Sequence, residues 1–453
     1  MNASVFLNSL TLGGTEKAAS LWAAGLNKTG SDIRVIALED GPRRRGLENT
    51  GIPVVVIPLR KSDCAARIAC ELKGTAVIHT HAPGFPHQGD ILGAALQLLA
   101  RKIPVVQTNI FGKLQNPTED AWTSFRLFIS WTSCVQAARR AGRKLDLEFF
   151  RRQSVAVYPV EAATPAGIDE WKVKSKSLRL ALGLQPEHVV FGRFSRPEPN
   201  KWTPLVLDAF LAAHRENPTI RLLLREPPPE VARSLLADGL GMVFEATTPN
   251  PQPATHHSPP IFIIPATADP DELAATQMAC DVVLHTSSIG ESFGYGLAEP
   301  MALGKPVITN SVPWHDQAQI ELVRHGEAGL IASTVSSMES AILRMAQSNE
   351  LRVACGEAAR RNILSMADPG ESTDRVEVAL RCAIEGHDNP RAEEDLERAR
   401  KTAEYLDKHQ WGHSVEETLQ LRANDAKVRL LKWQRDFRNR LSFNLSSESN
   451  TST

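Results

Sequence analysis

A chain of 453 residues exceeds what one ordinary core organises, so two domains with an addition are expected. Its 51 Lys and Arg against 52 Asp and Glu leave a formal net charge of −1, which advertises no nucleic-acid partner. Six cysteines (Cys64, Cys70, Cys134, Cys280, Cys355, Cys382) are scattered without a Cys-x-x-Cys pair, which argues against a disulfide framework or zinc site and suits a reducing compartment. Met1–Leu10 lacks the basic start and long apolar run of a signal peptide, and no window reaches the roughly 18 apolar residues of a membrane-spanning helix. A soluble, cytoplasmic protein is the expectation.

From the amino terminus, Val5–Leu7, Ile33–Leu38, Val54–Ile57, Ala76–Ile78, Pro104–Gln107 and Val155–Val157 read as buried strands. Glu16–Leu26, Cys64–Leu72 and Ile91–Ala100 read as helices between them, the pattern of a parallel sheet covered on both faces. Gly13 and Gly14 stand at the first strand-to-helix turn, with Thr15 as the predicted N-cap. Two glycines there let a phosphate or substrate approach the backbone, or make a plain tight turn. His79 and His81 follow a strand exit, and strand alternation favours His81 facing a cleft with His79 behind it; a pair of strand-end caps is the other reading. Trp122–Ala141 reads as an aromatic and basic helical stretch, either interfacial at a membrane or an ordinary core-facing helix.

Glu161–Ser177, diluted by Ala, Thr, Pro and Gly, marks a boundary, after which the alternation restarts. His188–Phe191, Ile220–Leu224, Ile261–Ile264, Val282–Leu284, Val307–Thr309 and Leu330–Ile331 are predicted strands. Pro204–His214, Leu273–Cys280, Tyr295–Leu303 and Val335–Gln347 are predicted helices. Two doubly wound sheets in series set a cleft at their carboxyl ends. Glu226–Pro260 is proline-rich and reads as a surface excursion, its His256 and His257 as solvated. Beyond about Asp388 the chain becomes charged, and Val415–Leu441 reads as part of an exposed helical appendage that packs through Leu, Trp and Phe stripes. The last ten residues read as disordered. The expected divisions are 1–165, 178–365, 366–443 and 444–453.

Two segments carry chemistry in this second half. Arg193, Arg196 and Lys201 follow a strand end, where Arg offers a bidentate fork and Lys a mobile charge to a diphosphate, although a solvated basic loop has the same composition. Glu291 and Glu299 stand with seven residues between them, one in a loop and one about two turns into a helix. Glycines between them leave N–H groups open to an anion; a glycine-broken helix cap is the alternative.

Taken together, Gly-Gly, His-x-His, Gly-Arg…Lys and Glu-x7-Glu resemble the retaining GT-B glycosyltransferases of family 4 over roughly residues 1–365, most specifically in ESFGYGLAEPMALGKPV. The resemblance implies two Rossmann-like parallel-sheet domains, an acceptor domain and a donor domain, with a C-terminal helical appendage. It implies that Glu291 contacts the donor sugar, Glu299 holds the ribose, and Arg193 (or Arg196) and Lys201 bind the diphosphate. Gly290, Ser292, Phe293 and Gly294 would line the donor site, Gly13 and Gly14 the phosphate or acceptor loop, and His81 would lie near sugar and acceptor as a catalytic residue with Glu291. The activity implied is retaining, metal-independent transfer of a hexose from a nucleotide diphosphate sugar to a saccharide, lipid-linked or small-molecule acceptor. No cofactor or metal is expected, and a peripheral contact with the inner face of a membrane is compatible with a lipid-linked acceptor. A nucleotide-sugar epimerase, a phosphorylase with pyridoxal phosphate or a degenerate binding module would use the same fold. Trp202 stands where a glycine commonly follows the lysine, and Val312-Pro313-Trp314-His315 replaces a usual glycine pair, which leaves the sugar open.

Overall fold

The computed structural model describes residues 1–60, 62–81, 86–112, 114, 120–244 and 259–448, without the side chains of 86–87 and 436–448. His256 and His257 lie outside the described residues. Two seven-stranded, wholly parallel sheets organise the molecule. The first contains β1 (Asn2–Leu7), β2 (Asp32–Ala37), β3 (Val54–Val56), β4 (Val77–Thr80), β5 (Val105–Asn109), β6 (Thr123–Phe128) and β7 (Gln153–Val155), in the order β3-β2-β1-β4-β5-β6-β7. The second contains β8 (Val189–Arg193), β9 (Ile220–Arg225), β10 (Gly241–Val243), β11 (Ile261–Ile264), β12 (Val282–His285), β14 (Val307–Thr309) and β16 (Gly329–Ile331), in the order β10-β11-β9-β8-β12-β14-β16. A two-stranded ribbon, β13 (Gly290–Glu291) with β15 (Asp316–Gln317), sits beside it. Strand order reverses beside β1 in one sheet and β8 in the other, and a crevice opens at such switch points. Apolar runs buried on both faces, such as Val189–Phe191 and Ile261–Ile264, make these strands central ones.

The structure corrects several expectations. Trp122–Ala141 is not one helix: Thr123–Phe128 is a strand with Phe125, Leu127 and Phe128 buried, and the helix runs only over Trp131–Arg140. Ser130 caps that helix, and its residues from Trp131 to Ala138 are buried, so it offers no interfacial face. The predicted boundary contains a helix, Pro165–Ala181, capped by Thr164 and opened by a proline at its first position. Only Ser175 of that helix is buried, so no apolar stripe announces it. It packs on the Pro270–Ala279 helix, where Trp171 Nε1 donates to Asp271 at 3.0 Å. The proline-rich excursion contains the Pro229–Ala237 helix and strand β10.

The C-terminal helices are more deeply integrated than an appendage. Pro369–Glu385 returns to the first domain and packs against Gly14–Lys28 and strands β4 to β7. There Trp22 Nε1 donates to Ser372 Oγ at 2.8 Å, and Ser372 in turn donates to the Val157 carbonyl. Arg375, almost fully buried, reaches Asp395 at 2.7 Å, Glu394 at 2.6 Å and Glu371 at 2.8 Å, which fastens Ala392–His409 to it. The last helix runs over Val415–Glu448, so it continues past Asn444, where a tail was expected; residues 449–453 lie outside the described ones. Among the described residues no helix is long and apolar enough to cross a membrane.

Candidate active site

A cleft of 1490 Å³ separates the two domains and is lined by Gly13, Gly14, Lys17 and Arg43 on one side and Arg196, Lys201, Glu291 and Glu299 on the other. Its floor on the second domain is a buried charge cluster. Lys201 Nζ lies 2.7 Å from Glu291 Oε1 and 3.1 Å from the Gly290 carbonyl, while His285 Nε2 stands 3.0 Å from the same carboxylate oxygen. Burial pushes the Glu291 carboxyl up, but Lys201 and His285 outweigh it and bring it down to about 2. Burial holds His285 below its ordinary value against the pull of Glu291, so a neutral ring donates its Nε2–H at pH 7.

Local structure explains this placement. Gly290 has φ +63°, and a Cβ there would lie 1.7 Å from the Asp316 carbonyl oxygen, so only glycine lets β13 pair with β15. The pairing sets Glu291 into the cleft, and Gln319 Oε1 accepts from its backbone N–H at 2.9 Å. Gly294, at φ +99°, caps the Tyr295–Ala302 helix, on which Glu299 rides. Ser292 donates to Asp316 at 2.6 Å, and its carbonyl accepts from Ser130 of the first domain at 2.7 Å. Phe293 is buried at the cleft wall.

The three cations at and after the end of β8 separate. Arg193 is 1% exposed: its Nη2 donates to the Thr286 carbonyl at 2.8 Å and to that of Lys201, and its guanidinium lies 4.7 Å from the Trp202 ring centroid. Burial draws it down to about 9, with Glu291 resisting. It braces the loop from behind and is not among the residues that line the cleft, while its Nη1 has no partner among the described residues. Lys201 and Arg196 face the cleft, Arg196 paired with Glu198 at 3.2 Å. Trp202, in the position of an expected glycine, is the platform on which Arg193 stacks.

On the first domain, Gly13 and not Thr15 is the N-cap of Gly14–Lys28. Any side chain at Gly14 would come within 3.1 Å of Tyr295 across the cleft, so Gly14 permits close approach of the domains, whereas a side chain at Gly13 would meet Glu16 of its own helix. Lys17 bridges to Glu299 at 2.6 Å and lies 5.0 Å from the Tyr295 ring centroid. Arg43, drawn down by burial with Glu16, Tyr295 and Glu299 opposing, donates to the Thr11 carbonyl at 3.0 Å.

His81 does not line the cleft. It is 1% exposed and stacks on Trp22 at 5.7 Å, with His79 at 4.4 Å and both of its ring nitrogens lacking a partner among the described residues. His79 Nε2 meets Thr108 at 2.8 Å. Burial pushes His79 down to about 3 and His81 well down, so both rings are neutral. Tyr158 links this histidine pair to the signature segment, touching Trp22 at 5.4 Å, Phe293 at 5.7 Å and Tyr295 at 5.9 Å. Sequence reasoning missed His285, Lys17, Tyr158 and Tyr295. His285 offered a signal, since it too stands at the exit of a buried strand. Tyr295 stands inside the ESFGYGLAEPMALGKPV segment, whereas Lys17 and Tyr158 belong to a helix and an irregular segment where nothing local marks them.

Comparison with known proteins adds the following. The family model "Glycosyl transferases group 1" matches residues 260–362, which hold His285, Glu291 and Glu299. The fold is similar to Anabaena HepE in complex with UDP and glucose, at 18% identity and a TM-score of 0.64 over 84% of this chain and 100% of that one. It is also similar to a glycosyltransferase from Rickettsia africae (13%, 0.63, 84% and 98%) and to WaaG, a glycosyltransferase involved in lipopolysaccharide biosynthesis (12%, 0.56, 83% and 99%). No curated protein matches the chain. A segment of the second domain therefore matches the group 1 glycosyltransferase model, within a GT-B fold.

Proposed function

We propose that this protein is a retaining glycosyltransferase that moves a hexose from a nucleotide diphosphate sugar to an acceptor hydroxyl without a metal. The observation that carries the reading is the Lys201–Glu291–His285 cluster on the cleft floor, with Glu299 on the helix that follows. Glu291 is held ionised and aimed, as a group that orients sugar hydroxyls needs to be. When the bond to the anomeric carbon breaks, negative charge grows on the departing diphosphate. Lys201 and Arg196 supply positive charge beside it, and such pre-organised electrostatics is usually the largest catalytic contribution. Glu299 exchanges Lys17 for the ribose hydroxyls as the donor enters. Because HepE holds UDP and glucose, UDP-glucose is the first donor to test. The saccharide or lipid-linked acceptor enters from the first domain beside Gly13, Gly14 and Lys17, and His81 joins the site only after Trp22 and Tyr158 shift. Six free cysteines, five of them buried, support a cytoplasmic location.

The test is a thermal-shift panel of nucleotide sugars followed by product analysis. A donor at a hundred times its dissociation constant adds ~2.7 kcal/mol of stability. Transfer should proceed with chelator present, keep the anomeric configuration by NMR, and collapse in Glu291→Ala while the nucleotide still binds. Wild-type turnover in Glu291→Ala, or sugar interconversion from donor alone, would overturn the reading.

A further inference from the structure

The Val415–Glu448 helix has two unlike halves. Its first half is clamped to the second domain: Glu417, 2% exposed, accepts from the Ser333 N–H at 2.6 Å and the Ser337 hydroxyl at 2.5 Å, and Leu421 is buried. The second half departs from the expected apolar packing, because Leu430, Leu431 and Trp433 are 54%, 53% and 62% exposed. The sequence of residues 427–441, KVRLLKWQRDFRNRL, holds six basic residues and the single acid Asp436, in a chain whose net charge is −1. Leu430 and Trp433 fall on one side of the helix, and in the sequence the same spacing continues to Phe437 and Leu441. Lys432, one residue from each of Leu431 and Trp433, lines the mouth of the cleft.

We propose that this half-helix docks the protein on an anionic lipid bilayer, with the cleft mouth facing the surface. An apolar stripe with Trp and Leu, flanked by Lys and Arg, lies in the headgroup boundary, its apolar side chains immersed and its basic ones on lipid phosphates. A basic stretch on a near-neutral molecule is complementary to a negative surface, and the long basic side chains cover apolar neighbours while their charges stay wet. The buried Trp131–Arg140 helix cannot serve this purpose. Docking rests on this helix and not on the transferase reading.

Flotation of the full-length protein with vesicles separates the outcomes without an activity measurement. Wild type should bind vesicles of phosphatidylcholine with phosphatidylglycerol, far less those of phosphatidylcholine alone, and be released by high salt. Leu430→Glu/Leu431→Glu and, separately, Lys427→Glu/Arg435→Glu should each lower binding about tenfold or more, because each basic residue at the surface contributes on the order of 1 kcal/mol. Their melting temperatures should match wild type, since both leucines and both cations are exposed. Equal binding of variants and wild type, or no binding of wild type, overturns the proposal. So does a concentration-dependent dimer that the leucine variant abolishes, which would assign the face to a second copy.

Discussion

Glu291 shows how two neighbours decide the state of one carboxylate. Its side chain is 13% exposed and that of Lys201 14%, so neither ion has water enough to stand alone. Removing one member of such a pair typically costs ~3–5 kcal/mol, because the other charge is left buried. We expect Lys201→Met to approach that loss, and Lys201→Met/Glu291→Gln to recover part of it. Urea unfolding of the four proteins in a double-mutant cycle checks this; strictly additive losses would refute the coupling. Acidity offers a second check. Folded His79 protonates only at about 3 against an ordinary 6.5, so the unfolded chain takes up the proton first. Stability from the neutral ring is complete above pH 6.5 and declines as pH falls towards 3. Glu291 adds a second decline from 4.5 towards 2. The melting temperature should therefore fall through both windows, and His79→Gln should make the first less steep while His81, His285 and His325, also held below their ordinary value, keep the remainder; a melting temperature unchanged from pH 6.5 to 4.5 would contradict this.

At the scale of elements, the loop that carries Glu291 depends on a ribbon of two-residue strands. Gly290→Ala puts a methyl group onto the Asp316 carbonyl and a left-handed backbone on a residue that resists it. Turnover should drop by about a hundredfold or more, the scale of a lost site donor. Gly46→Ala is the control: it lies in the Arg43–Asn49 helix with nothing within 4 Å of the new Cβ, and should be neutral or stabilising by ~0.5–1 kcal/mol. Comparable activity in the two variants would show that the ribbon does not set the site. The 3.6-residue period made helices such as Val335–Gln347 legible, and a short continuous apolar run made Ile261–Ile264 legible, but the Asn349–Met366 and Pro369–Glu385 helices were not predicted. Such patterns could not reveal β13 or β15, because two residues hold no period. Nor could they reveal Pro165–Ala181, of whose residues only Ser175 is buried.

At the scale of the whole molecule, the chain closes on itself through Arg375. Asp395 is 0% exposed and accepts from Arg375, from Ser154 at 2.6 Å and from Asn389 at 2.9 Å, joining the C-terminal helices to the edge of the first sheet. Asp395→Ala strands a buried guanidinium, so a loss of ~3–5 kcal/mol is expected in chemical denaturation; a loss below ~1 kcal/mol would mean that the cluster contributes little. The residue sequence by itself pointed to the two parallel sheets, because short runs of Val, Ile and Leu alternating with helical segments suit strands buried on both faces. It also supplied the groups available at one wall of the cleft, since Glu291, Glu299 and Lys201 all line it, although pairing of β13 with β15 is what sets Glu291 in place. Only the tertiary structure decided which groups face the cleft. Arg193 ends β8 and Arg196 stands three residues on, yet burial beside Trp202 takes the first away and solvent keeps the second. His81 is likewise removed by Trp22, 59 residues upstream, and Glu299 is matched by Lys17, 282 residues away. Such choices belong to contacts between distant segments, and no window along the chain contains both partners.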